Sequence, residues 1–241
     1  MKLLVFQHIA CEHPGSLRGF LAVDNIEWHA VNLDQGEAIP PLQDYDALWV
    51  MGGPMDVWDI EDYPWLIAEK EAIRCWVKQL NKPFLGLCLG HQLLADALGG
   101  SCVLQQPPEI GIVEVELNEC ASSDLLFGTM PQKQKCLQWH SVCVDQLPEN
   151  TTILASSDAC RNQAMRVGLN AWSMQYHVEV EADTVTNWGK VPAYRQALDN
   201  TLGPDGLAMM KSDADSHMTE FLHCAETLYR NFIKHANHLA I

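Results

Sequence analysis

Pro83-Phe84-Leu85-Gly86-Leu87-Cys88-Leu89-Gly90-His91-Gln92 decides how this chain folds. An apolar run ends at Cys88, and a helix-compatible Leu89-Gly90-His91-Gln92-Leu93-Leu94-Ala95-Asp96-Ala97-Leu98 follows at once. A strand that turns so sharply into a helix needs small residues around the bend, and Gly86 and Gly90 stand two before and two after the cysteine. The helix start adds free N–H groups and the positive end of its dipole, which favour a thiolate at Cys88. That is the pattern of a nucleophile elbow, and a low-pKa thiol placed there suits covalent acyl transfer. Taken alone, Gly-x-Cys-x-Gly also fits a buried core cysteine on an ordinary strand-to-helix turn, because free cysteine is among the most buried residue types.

A second stretch tips the balance. Ala171-Trp-Ser-Met-Gln-Tyr-His-Val-Glu179 is a short β-prone run that ends in His177, with Glu179 two positions on. At a strand end, a period of two puts His177 and Glu179 on one side of the backbone, where the carboxylate can hold one imidazole nitrogen and leave the other for the thiol. Cys88, His177 and Glu179 then supply nucleophile, base and orienting group. Any single one of the 10 histidines reads more simply as a structural residue; two independent motifs that agree in role make the catalytic reading the stronger one.

Gly86 to Gln92 together with His177-Val178-Glu179 resembles the class I (triad type) glutamine amidotransferase family. A third segment resembles the same family: Ala47-Leu-Trp-Val-Met-Gly-Gly-Pro-Met55 is an apolar run broken by glycines, like the loop that carries an oxyanion donor. The resemblance spans Met1 to about Glu181. It is strongest toward stand-alone members similar to the glutaminase part of GMP synthase, including γ-glutamyl peptidases. Gly52 to Asp59 with Pro64-Trp65-Leu66, Pro108 to Gly111, Gln138 to Ser141 and Leu147-Pro148 carry that finer match. Two positions depart from it: Val178 stands where the family usually has proline, and Ser141-Val142 follow Trp139-His140 in place of Gly-Asp.

The resemblance implies a γ-glutamyl thioester on Cys88, oxyanion donors at the Gly53 and Leu89 amides, and a substrate pocket with Gln92, His140, Ser141 and also Glu109. It implies no cofactor. The substrate would be glutamine or a γ-glutamyl compound, and the released ammonia would go to a separate synthase subunit, or else the protein works alone as a hydrolase. No Gly-x-x-x-x-Gly-Lys-Ser/Thr phosphate loop occurs in the chain. Of the other readings, a catalytically silent relative acting as a regulatory or scaffold subunit keeps the fold and loses the chemistry. A peptidase or chaperone of the DJ-1-like group would place a histidine directly after the cysteine, where Leu89 stands.

Composition bounds the rest. A chain of 241 residues suits one α/β domain, with a core to about 181 and a helical part from about 182. A formal net charge of −16 opposes nucleic acid and anionic membrane as partners, since both would repel it. Nine cysteines, scattered without a Cys-x-x-Cys pair, read as reduced thiols of a cytoplasmic protein and give no metal site. The His217/His223 and His235/His238 spacings read as a solvated helix face. The first residues hold only four apolar positions before Gln7, short of the roughly 7–15 of a signal peptide, and read as the first strand.

Apolar runs alternate with helical ones as far as Leu98: strands at 2–9, 28–33, 47–51 and 83–87, helices near 16–23, 64–80 and 91–98. This predicts a doubly wound, mostly parallel α/β sheet flanked by helices, flavodoxin-like, with its site at the carboxyl ends of the strands. From Cys102 to His177 the pattern becomes strands divided by turns (110–117, 135–139, 153–156, 164–167 and 172–176), a small antiparallel extension that returns His177 to the elbow. After Glu181 the reading is a helix at 183–198, a break at Gly203-Pro204-Asp205-Gly206, and a terminal helix at 212–236 with Phe221, Leu222, Ala225, Leu228, Tyr229 and Phe232 as an apolar stripe packed on the sheet.

Overall fold

The shortest apolar runs of the chain are also its most buried strands. In the computed structural model, which describes residues 1–239, β3 (Ala47–Val50) and β4 (Phe84–Leu87) are buried along their whole length. Strands covered on both faces need no polar alternation, so continuous apolar residues form them. With β1 (Lys2–Gln7), β2 (Glu27–Asn32) and β9 (Ala171–Met174) they build a parallel half-sheet; β5 (Ser101–Leu117), β6 (Lys133–Gln146), β7 (Thr151–Ser156) and β8 (Ala164–Val167) continue it. The described residues give one nine-stranded mixed sheet in the order β2-β1-β3-β4-β9-β8-β7-β5-β6, antiparallel from β9 onward.

Among the described residues six α-helices cover the sheet: α1 (Leu17–Val23), α2 (Trp65–Cys75), α3 (Leu89–Ala97), α4 (Thr184–Trp188), α5 (Pro192–Leu202) and α6 (Gly206–Leu239). Alternate side chains of each central strand enter opposite cores. Leu3, Val5, Trp49 and Leu85 pack with α1 and α6. Leu4, Phe6, Leu48, Val50 and Phe84 pack with α2 and α3. A third cluster joins Leu137 and Trp139 of β6 to Trp188, Tyr194, Leu198 and Phe221 of the last three helices.

Four expectations are corrected in detail. The run at 172–176 belongs to the parallel half, since Ala171 to Met174 of β9 pair with Phe84 to Leu87 of β4; the antiparallel strands are an excursion between them. β5 and β6 are longer than read, because β5 passes through Pro107-Pro108 with a register shift between Leu104 and Glu109 and then pairs again. The helix expected at 183–198 is two helices, because Pro192, which has no N–H to continue a helix, starts the second. The terminal helix begins earlier, at Gly206, and Leu222 of its stripe is 47% exposed while Cys224 takes the inward position. Phe221, Ala225, Leu228, Tyr229 and Phe232 are buried as expected.

Candidate active site

β4 and β9 lie side by side and parallel, so the residues that follow them meet at the carboxyl edge of the sheet. Leu87 pairs with Met174, and the Cys88 amide donates to the Met174 carbonyl at 2.8 Å. Cys88 has φ 51° and ψ −103°, a left-handed conformation that side chains avoid, and it stands directly before α3. The two flanking glycines are required by close backbone approach. A β-carbon on Gly90 would lie 2.1 Å from the Val50 carbonyl oxygen, and one on Gly86 would lie 2.5 Å from that of Gly90.

Three residues past Met174, His177 is held by backbone bonds in both directions with Leu137 of β6, each 3.0 Å. Its Nδ1 meets Glu179 Oε1 at 2.6 Å, and the Cys88 sulfur stands close enough to act on the charge of the ring. Burial by itself lowers the imidazole pKa, but Glu179 and the Cys88 sulfur together raise it well above the ordinary value. Trp188 packs edge-on against the ring, with centroids 4.7 Å apart. Cys88, His177 and Glu179 are thus brought together, and all three are buried.

Val178 has a visible consequence. Its amide donates to Glu179 Oε2 at 3.0 Å, a bond that a proline could not make. The carboxylate is therefore fixed by the imidazole on one oxygen and by the main chain on the other.

Gly53 and Leu89 also converge: a β-carbon on Gly53 would stand 2.8 Å from Leu89 Cδ2. Among the described residues neither backbone amide has a protein acceptor. The pocket residues are more fully engaged. Gln92 Nε2 donates to the Val142 carbonyl at 3.0 Å and to Gln175 Oε1 at 3.1 Å, so it ties α3 to β6 and to the segment after β9. The His140 ring pairs with the Val142 carbonyl (3.0 Å) and Glu109 Oε2 (3.1 Å), and Glu109 also accepts from Ser157 and Gln163. Gln92, His140 and Ser141 line a cavity of about 140 Å³ with Pro54, Asp56 and Tyr194. Asp56 there is pushed up to about 6 by burial and by Asp59.

Sequence reasoning missed three neighbours. Gln175 Nε2 points at the Cys88 sulfur, 3.6 Å away; the same period of two that links His177 to Glu179 would have found it. Glu12 and Tyr194, hydrogen-bonded to each other, lie close enough to influence the charge of His177 and Cys88, and no local pattern marks them. His235 bonds to Asn170 and packs on Trp172, and among the described residues no group of three or more His, Cys, Asp or Glu could hold a metal ion. No helix among them is long and apolar enough to cross a membrane.

Known glutamine-hydrolysing proteins resemble the chain in sequence and in fold. A GMP synthase (glutamine-hydrolyzing) subunit from Sulfolobus acidocaldarius is 31% identical over 177 residues, covering 72% of this chain and 89% of that protein. GMP synthase (glutamine-hydrolyzing) of Aeropyrum pernix is 32% identical over 174 residues, 72% of this chain and 30% of that protein. A crystal structure of a glutamine amidotransferase from Thermotoga maritima superposes with a TM-score of 0.85 at 26% identity, covering 97% of this chain and 98% of the other. The family model described as glutamine amidotransferase class-I matches residues 17–187, so a chain whose strand-to-helix turn presents Cys88 beside His177 and Glu179 belongs to the class I glutamine amidotransferase family.

Proposed function

We propose that the protein hydrolyses the γ-amide of glutamine, or of a γ-glutamyl compound, through an acyl-enzyme on Cys88. One observation carries the reading: a buried cysteine on an elbow with φ 51° adjoins an imidazole whose Nδ1 sits 2.6 Å from a carboxylate. The Cys88 sulfur attacks the γ-carbonyl carbon, and the C–S bond forms as the carbonyl electrons move to oxygen. The free Gly53 and Leu89 amides receive that oxyanion, an interaction worth roughly 3–4 kcal/mol per donor in comparable sites. The C–N bond then breaks as the His177 proton passes to the departing nitrogen, leaving a γ-glutamyl thioester. Water, giving a proton to His177, attacks the thioester, and glutamate leaves as the sulfur recovers its negative charge. Glu179 stays ionised throughout and holds the imidazole in the productive orientation. Gln92, His140 and Ser141 shape the pocket for the α-amino acid end.

The Sulfolobus relative is named as one subunit of a GMP synthase, which favours a separate synthase partner as the acceptor of ammonia. All nine cysteines are free, which agrees with a reducing, cytoplasmic setting. The test is glutamate release from glutamine and from γ-glutamyl peptides, with labelling of Cys88 by a γ-glutamyl chloroketone. Parent protein is expected to release glutamate and to take the label, and Cys88→Ala to do neither. Release from Cys88→Ala at the parental rate refutes the mechanism; a parent that neither hydrolyses nor reacts is a silent relative.

A further inference from the structure

Glu12 and Tyr194 have no part in the steps above, yet they meet beside them. They are separated by 182 residues, and both lie outside the stretch 17–187 that matches the family. Glu12 stands on the segment after β1, which runs along His177 to Glu181: the Ser16 amide donates to the Glu179 carbonyl at 2.9 Å, and Trp188 Nε1 to the Cys11 carbonyl at 3.1 Å. Tyr194 stands on α5, and its hydroxyl donates to Glu12 Oε1. The other oxygen of Glu12 rests against Gly52, where a β-carbon would come within 2.6 Å of it. Glu12 is 2% and Tyr194 8% exposed, so this is a buried bond between a phenol and a carboxyl group within electrostatic reach of Cys88.

The same tyrosine ring belongs to an aromatic wall. Its centroid is 5.8 Å from that of Trp139 and 5.9 Å from that of Trp188, the indole that packs on His177. It also lines the cavity that holds Gln92 and Ser141. Cys88 is 6% and His177 1% exposed. In the proposed mechanism the leaving nitrogen takes its proton from His177, the ring on which Trp188 packs and which Glu12 is close enough to influence. Glutamine carries only hydrogens on that nitrogen. A γ-glutamyl peptide carries a whole residue, which would need the room that the tyrosine ring and α5 occupy.

We infer that the Glu12–Tyr194 hydrogen bond determines leaving-group specificity: it pins the Tyr194 ring at the edge of the site and restricts the site to substrates that release a small amine, ammonia before an amino acid or peptide. The inference rests on the glutaminase reading for its substrates, though its geometry stands apart from it. Of the contacts that fasten this part of α5, the bond from Trp139 Nε1 to the Tyr194 backbone carbonyl, 3.1 Å, is independent of the phenol. Replacing the hydroxyl therefore leaves the helix docked and removes only the tie.

Two variants test it, Tyr194→Phe, which keeps the ring and deletes the donor, and Glu12→Gln, which keeps an acceptor. Glutamate release is measured from glutamine and from γ-glutamyl-p-nitroanilide, whose leaving amine is bulky. Tyr194→Phe is expected to raise kcat/KM for the anilide relative to glutamine by about tenfold, the shift that losing one buried hydrogen bond allows. Glu12→Gln should keep the parental ratio of the two substrates, since its amide oxygen still accepts from the phenol. A second arm reads access without catalysis: Cys88 alkylation by iodoacetamide and by the larger N-phenylmaleimide, followed by peptide mass. Here Tyr194→Phe should accelerate the maleimide more than iodoacetamide. An unchanged anilide ratio with unchanged maleimide selectivity overturns the inference. If neither substrate turns over but the maleimide gains access, the glutaminase reading fails while the closure by Glu12 and Tyr194 stands.

Discussion

At the scale of single residues, the proposed chemistry depends on two oxygens of one carboxylate. Glu179 binds the His177 ring with one and the Val178 amide with the other, so its orientation is fixed before any substrate arrives. Glu179→Gln keeps the shape and loses the charge that raises the imidazole pKa; kcat for glutamate release is expected to fall by on the order of 10²–10⁴-fold, the usual worth of a positioned acid–base group. The same charge sets a pH dependence. Burial lowers the His177 pKa, but Glu179 and the Cys88 sulfur raise it well above its ordinary 6.5. A folded-state pKa above the unfolded one stabilises the protein fully below pH about 6.5, and that contribution is lost as pH rises through the folded value. Melting temperatures of the parent and of His177→Gln should accordingly differ most on the acid side of neutrality and converge at alkaline pH. The three residues were legible in the sequence because each sits in a short local pattern, a glycine-flanked cysteine and a histidine two positions from a glutamate. Glu12 and Tyr194 were not, since a contact between segments 182 residues apart leaves no trace in either segment alone.

At the scale of elements, the strand-to-helix turn is held by steric fit. Gly90 lies so close to β3 that its replacement by alanine would put a methyl group 2.1 Å from the Val50 carbonyl oxygen. Gly90→Ala is expected to cost about 3 kcal/mol or more, because backbone rather than a mobile side chain must give way. Chemical denaturation of parent and variant measures it, and equal midpoints would contradict this packing. The fully buried strands β3 and β4 were readable because unbroken apolar runs between turn residues have few other uses. The reach of β5 was hidden because Pro107-Pro108 reads as a break, although the strand shifts register there and resumes pairing at Glu109. The boundary between α4 and α5 was hidden for a related reason: Tyr194, Ala197 and Leu198 continue the apolar periodicity across the Gly189 to Pro192 interruption.

At the scale of the whole molecule, one carboxylate in the loop between β5 and β6 joins that loop to β8 and to β9 of the parallel half. Asp124 accepts from Arg166 of β8 (2.8 Å), Trp172 of β9 (3.0 Å) and the amides of Leu126 and Phe127 (2.8 and 3.2 Å). Asp124→Ala leaves the buried indole and two amides without partners, and is expected to destabilise the fold by about 3 kcal/mol or more. Thermal unfolding checks this, with glutamate release at low temperature showing whether the site survives. The doubly wound half of the molecule was legible from βα alternation. The place of β9 was not, because nothing in a four-residue apolar strand says which neighbour it will choose. That choice has a consequence for robustness. Since β4 and β9 are direct neighbours, the sheet brings Cys88 and His177 to one edge, and the paired bonds from His177 to Leu137 make β6 a second support for the imidazole. Damage to the outer strands would therefore reach the ring through that one bridge while the sulfur stayed where the inner strands put it.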